Sequence, residues 1–242
     1  MSGPAVALGV HVVGMRSQEA ENHVSSKIGL AIAGSLALAL AQGFALGDDV
    51  KAPAEGTGVV RGHLTIDGKT EHHRFAIDES LVNLKGEALK KLAKVPAEPV
   101  LMDQNGIAYV PTVLAIVAGT TVEFRNSDPT MHNVHCTCRL NAPSNIGMKQ
   151  GETSKVVFAQ PETVEVTCNI HANMKAFIVV LDNPLFAKVQ KSGDFRIEGV
   201  PAGDFEIRGW HDGTTPTVKK VTVKAGEETV VDLDLTTKKR GR

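Results

Sequence analysis

Aromatic residues are scarce in this chain. They make up 4% of its 242 positions, with one Trp and one Tyr. That scarcity argues against the stacked aromatic platforms that hold bases or sugars. Charge of one sign is lacking too. Lys and Arg number 26 against 27 Asp and Glu, for a formal net charge of -1, so no polyanion partner such as nucleic acid is implied. Three cysteines are too few for a disulfide scaffold. The apolar run at 28–40 falls short of the roughly 20 residues a membrane helix needs. What is present is ordinary for a soluble globular protein: 42% hydrophobic and 22% charged residues. The length fits one to two domains.

Residues 1–41 read as an export signal. Lys27 precedes the apolar run, and Ala39-Leu40-Ala41 supplies a small-x-small cleavage pattern. Cleavage is expected and would place the mature chain in the periplasm or outside the cell. If the run continues to Leu46, it forms an uncleaved anchor instead, the one route to a membrane in this reading. The stretch before Lys27 is long for such a signal, and a start at Met15 would shorten it.

The rest reads as all-β. Residues 42–58 are a linker by composition. Residues 59–66 form a strand closed by Asp67-Gly68, a strong turn dipeptide. His72 and His73 are adjacent, so they point to opposite faces of a strand and form no joint metal site. Apolar residues at 81, 84, 88, 89, 92 and 95 predict one short amphipathic helix, favoured by late lysines and stopped by Pro96. Residues 59–99 thus make a strand-and-helix segment. From 100 to 183 strand signals crowd together at 109–117, 121–126, 131–138, 155–158, 163–168 and 176–181, with Phe124, Phe158 and Phe177 as large core residues. Asp182-Asn183-Pro184 marks a boundary. Residues 184–242 follow as short strands and turns, a second and smaller β-sandwich. His211, beside Trp210, reads as local packing there.

The densest chemistry lies in Cys-Asn-Ile-His-Ala-Asn-Met, Cys168 to Met174, with a further imidazole upstream at His132. Two imidazole nitrogens, a thiolate and a weak thioether form the ligand set of an electron-transfer copper site. Zinc fits less well, because a thioether is a poor zinc ligand and no Cys-x-x-Cys pair completes a knuckle. A single buried Cys usually means packing, and a single His a satisfied polar residue. Four such residues gathered by one loop and one neighbouring strand point instead to metal. If one ion holds them, the donor atoms of His132, Cys168 and His171 should lie within about 4 Å of one another, with the Met174 sulfur farther because its bond is long and weak. Such an ion has no open position for substrate, so the chemistry is outer-sphere electron transfer and not turnover.

His132-Asn133 followed by Cys-x2-His-x2-Met resembles the cupredoxin family, in its amicyanin- and plastocyanin-like branch. The resemblance covers residues 100–182. It implies an eight-stranded Greek-key β-sandwich and one type 1 copper on His132, Cys168, His171 and Met174. It also implies that Asn133 braces the ligand loop and offers its backbone N–H to the Cys168 sulfur, and that His171 is the electron port. Relatives with short loops often carry proline before the second ligand His. Here that residue is Ile170, whose N–H is expected to donate to the same sulfur. Ala172-Asn173 departs from the Pro and aromatic of amicyanins, which alters the partner-docking surface. Residues 184–242, through Gly-Val-Pro-Ala-Gly-Asp-Phe, resemble carboxypeptidase-regulatory-like or collagen-adhesin B-type modules, whose implied role is structural or docking. Residues 59–66 resemble the opening strand of such a module and could pair with it.

The expected function is an exported type 1 copper protein passing single electrons between a donor and an acceptor redox protein. The same ligands would also serve copper capture and delivery, or a structural surface module with incidental copper. Cys136 and Cys138 face one side of their strand with His132. Core packing, a local disulfide, or a soft-metal site with His135 or Met131 all fit that placement.

Overall fold

The computed structural model describes residues 56–71 and 76–238. The export signal or anchor, most of the linker, and His72 and His73 lie outside those residues. The first segment holds β1 (Thr57–Ile66), β2 (Leu81–Lys85) and the single-turn helix α1 (Glu87–Lys90). Next come β3 (Val100–Gln104), β4 (Tyr109–Val110), β5 (Val113–Val117), β6 (Thr120–Asn126), β7 (His132–Thr137) and β8 (Ser144–Met148). They are followed by β9 (Thr153–Phe158), β10 (Thr163–Thr167) and β11 (Lys175–Leu181). The last segment holds β12 (Phe186–Lys188), β13 (Asp194–Pro201), β14 (Gly203–Trp210), β15 (Thr214–Thr215), β16 (Thr217–Val223), β17 (Glu228–Val230) and β18 (Leu233–Thr237). The fold is all-β with one short helix. Among the described residues no helix is long and apolar enough to cross a membrane.

Two sheets enclose the middle of the chain. Their strand orders are β5-β11-β10-β7-β8 and β4-β3-β6-β9. Neighbours far apart in sequence, such as β5 beside β11 and β7 beside β10, make the crossings of a Greek key. β6 alternates buried and half-buried residues along its length, as a strand with one face on a core should. Phe124 and Phe158 lie in that core with Val134, Val164, Val166 and Ile178.

The first and last segments close a second sandwich together. β1 lies antiparallel to β13 and parallel to both β17 and β18. It changes parallel partner around Gly62, where a Cβ would overlap the carbonyl of Val231. β2 lies between β12 and β14. Their shared core runs from Val60, Leu64 and Leu84 to Phe195, Ile207 and Leu235. The Asp67-Gly68 turn forms as read, with φ of 50° and 73° and a bridge from Ile66 to Lys69.

The helix expected over 81–95 is mostly replaced. Residues 81–85 form β2, and only Glu87–Lys90 is helical. Leu81, Val82 and Leu84 are all fully buried, because β2 has strands on both edges and apolar neighbours on both faces. Burial on both faces erases the alternation that marks a strand in sequence. The chance spacing of leucines then imitates a helical stripe.

β11 is buried on both faces for a related reason. Ala176, Ile178 and Val180 point into the middle sandwich. Phe177, Val179 and Leu181 join Leu81 and Trp210 in a third cluster that packs the two sandwiches together. The long apolar run 176–181 records a strand clamped between two cores. Phe177, expected in the core of the middle sandwich, belongs to this outer cluster.

Candidate metal centre

The site sits where β7 begins and β10 ends. These strands are antiparallel neighbours, with His135 opposite Thr167. His132 opens β7, and Cys168 follows the last residue of β10. The loop from Cys168 to Met174 closes the β10–β11 hairpin. The Cys168 N–H donates to the Met174 carbonyl (3.2 Å), and the Met174 N–H to the His171 carbonyl (3.0 Å).

Three donors converge. Nδ1 of His132 lies 2.9 Å from Nδ1 of His171, with ring centroids 4.7 Å apart in an edge arrangement. Together with Sγ of Cys168, the three ligand atoms lie within 4.8 Å of one another. This is slightly wider than the expected 4 Å. The two imidazole nitrogens lie within hydrogen-bond distance of each other, and the sulfur accepts from a loop amide. Among the described residues no other group of three or more His, Cys, Asp or Glu gathers in this way. His132 and Cys168 are buried, and His171 is half-buried. Met174, 1% exposed, lies in the same core cluster as Cys168.

His132 is oriented by Asp128, a residue that nothing in the sequence singles out. Its Nε2–H donates to Oδ2 of Asp128 at 2.8 Å, a tautomer assigned from the hydrogen-bond network, which leaves Nδ1 free for an ion. Asp128 is itself fixed by the β3–β4 hairpin. The N–H groups of Gly106 (2.6 Å) and Ile107 (2.9 Å) donate to its two oxygens. Asn126 holds the intervening turn, accepting from the Asp128 N–H and donating to the carbonyls of Thr130 and Met148. Burial pushes the Asp128 carboxyl up. The Ile107 and Gly106 donors and the His132 ring outweigh it and hold the group below the usual value. A carboxylate behind a ligating histidine is a common brace in metal sites.

Asn133 braces the loop through its side chain. Its Oδ1 accepts from the Asn169 N–H (2.6 Å), and its Nδ2 donates to Asn145 (2.7 Å). Ile170 does not play its expected part. The N–H that reaches the Cys168 sulfur belongs to His171, at 3.4 Å. A side-chain acceptor that opens a tight turn is reached by an N–H two or three residues on. Here the third residue closes the ring, while the Ile170 side chain stands 50% exposed.

Tyr109, the one tyrosine, was also missed as a site residue. It is 2% exposed. Its hydroxyl donates to the Asn133 carbonyl (2.6 Å), with the Thr167 carbonyl 3.0 Å away. Those carbonyls belong to the residues beside His132 and Cys168, so one side chain ties the two ligand-bearing strands together. Burial, then the nearby Cys168 and Cys136, raise its pKa well above the usual phenol value, so it remains a donor.

Cys136 and Cys138 are free thiols, as is Cys168. Cys136 belongs to the core of the middle sandwich, and Cys138 packs against it. Burial pushes the Cys136 thiol up. Burial, Cys136 and Glu162 push Cys138 to about 11. Protonated thiols are poor metal ligands, and packing is the role that fits.

No family model and no curated protein matches this chain. Solved structures do. A copper-containing nitrite reductase from Thermus scotoductus SA-01 is similar at 29% identity and a TM-score of 0.34, over 42% of this chain. The match spans only 27% of the reductase. A purple cupredoxin from Nitrosopumilus maritimus is similar at 20% identity and a TM-score of 0.30, covering 34% of this chain and 99% of that one. A reduced tryptophan-to-tyrosine mutant of amicyanin gives 22% identity and a TM-score of 0.33, covering 41% of this chain and 98% of that one.

Proposed function

We propose that this is an exported cupredoxin-type protein that holds one copper ion on His132, Cys168, His171 and Met174 and carries single electrons between redox partners. The observation that carries the reading is the convergence of His132 Nδ1, His171 Nδ1 and Cys168 Sγ at one buried point. The donor set fits copper: two borderline nitrogens, one soft thiolate, and a buried thioether on the same loop. Bound copper would supply a one-electron couple. Asp128 would hold the His132 Nε2–H and so present Nδ1 to the ion in a fixed orientation. The His171 N–H would soften donation from the Cys168 sulfur and so favour the reduced ion. The half-buried His171 ring is the exit to a partner. Exposed apolar residues on the site-bearing segments, Ile107, Met131 and Ile170, would let that partner approach without displacing tightly held water. The second sandwich would serve as a docking or structural module.

The test is the visible and electron-spin-resonance spectrum of the copper-loaded protein. An intense blue or green thiolate-to-copper(II) band is expected, bleached reversibly by a one-electron reductant and lost in Cys168→Ser. A colourless copper complex, or one that cycles only with loss of the ion, would favour capture and delivery.

A further inference from the structure

The outer face of β10 and β11 lies across from β14 along a cleft of about 810 Å3. This volume is within the range of small-molecule sites. β14 contributes Arg208 and Trp210, two residues apart and so on one face. Phe177, on the opposite wall, meets Trp210 edge to face at 5.3 Å.

The acids of the cleft are already engaged. Glu162 accepts from the backbone N–H groups of Arg139, Leu140 and Asn141 and from the Asn141 side chain, at 2.7–3.1 Å. Glu165 and Asp212 share Lys175, at 3.3 and 3.0 Å. His211 has both ring nitrogens near carbonyl oxygens, those of Asp212 and Ala76. Arg208 differs. Among the described residues no side chain or carbonyl forms a hydrogen bond or ion pair with its guanidinium. Burial pulls its pKa below the usual value with no acid to offset it. Arg139 and Lys238 also line the cleft, but both are exposed to solvent. Arg208 is the half-buried cation without a counterion, and it lies beside the apolar wall.

We propose that this cleft binds a small organic carboxylate, its head on Arg208 and its apolar body against Trp210 and Phe177. A guanidinium presents two parallel N–H donors that match a carboxylate. One negative charge answers the one partly desolvated cation, since the exposed Arg139 and Lys238 keep their hydration. A more highly charged anion would meet repulsion from Glu162, Glu165 and Asp212. The proposal does not depend on the metal reading, since no copper ligand lines the cleft.

Trp210 is the only tryptophan in the chain, so its fluorescence reports occupancy directly. The full-length, metal-free protein is titrated with benzoate, with hexanoate, with neutral benzyl alcohol and with inorganic phosphate. Both carboxylates are expected to give a saturable change and a rise in Tm, as binding to the native state requires. Benzyl alcohol and phosphate should bind at least tenfold more weakly. Arg208→Met should weaken benzoate at least tenfold while leaving the ligand-free Tm equal or higher, because a desolvated unpaired charge is removed. Arg208→Lys, which keeps the charge without the fork, should fall between. The proposal is overturned if neither carboxylate saturates by about 10 mM, a bound near 3 kcal/mol of binding. It is overturned equally if Arg208→Met binds benzoate undiminished or unfolds the protein, which would make Arg208 a structural residue. A response abolished by Cys168→Ser would place the anion at the metal centre and also overturn it.

Discussion

Asp128 carries more of the candidate centre than its place in a turn announces. It joins a hairpin at 106–107 to the ring of His132. Asp128→Asn keeps an oxygen for one side of the site only, sets an NH2 donor against the other, and weakens the hold on Nε2–H. It is expected to lower copper(II) affinity about 10–100-fold, measured by competition with a chelator of known strength. Tyr109→Phe removes a hydroxyl and leaves the buried Asn133 carbonyl short of that donor, at a cost of about 1–3 kcal/mol. Urea unfolding of the metal-free protein measures that loss. A shifted thiolate band after copper loading would show that the two ligand-bearing strands have moved. The convergence of His132, Cys168 and His171 was legible in the sequence, because Cys168 and His171 sit on one short loop whose spacing is its geometry. Asp128 and Tyr109 were not. Each acts through contacts to distant hairpins, and neither residue type signals a metal from its position in the chain. The N–H···S donor was misplaced by one residue, since a tight turn sets which amide folds back.

At the scale of elements, Glu162 pins the end of β7. Burial raises its carboxyl pKa. The donors at Arg139, Asn141 and Leu140 outweigh burial and hold the group below its usual value. A depressed folded-state pKa means that the stabilisation is present above the unfolded value, near 4.3. It is lost as pH falls through the lower folded value. Amide exchange at residues 139–141 should therefore accelerate on acidification below about pH 4 relative to exchange at β6 amides. Glu162→Gln should abolish that acid-dependent difference. Within β11, Ile178 is fully buried, and Ile178→Ala should cost about 2–5 kcal/mol, read from chemical denaturation. Strands with one covered face, such as β6, were legible from their β-branched residues and bounding turns. β2 was not, because both its faces are covered, and its leucine spacing read as a helix.

On the scale of the whole molecule, the middle sandwich is set into the outer one. The chain leaves through β2 and returns beside it. Asn183 donates to the Leu84 carbonyl (2.9 Å), and the Leu84 N–H donates to the Leu185 carbonyl (2.9 Å). A chain ending at residue 183 would lose β12 to β18, and with them every strand partner of β1 and β2. Hydrogen exchange on such a chain should show fast exchange throughout 57–90 while β6 and β10 stay protected. Equal protection of β1 in the shortened chain would refute the shared core.

That interleaving also dictates an order of assembly on the ribosome. β1 emerges early, yet its antiparallel neighbour begins only at Asp194 and its parallel ones at Glu228 and Leu233. The nine strands from β3 to β11 are synthesised in between and need nothing that comes later to pair with one another. The middle domain can thus be complete, ligand loop included, while β1 and β2 still wait with open edges. Such edges can pair with other chains. A slow or stalled synthesis past residue 183 would lengthen that exposure and raise aggregation without altering any residue of the candidate metal centre.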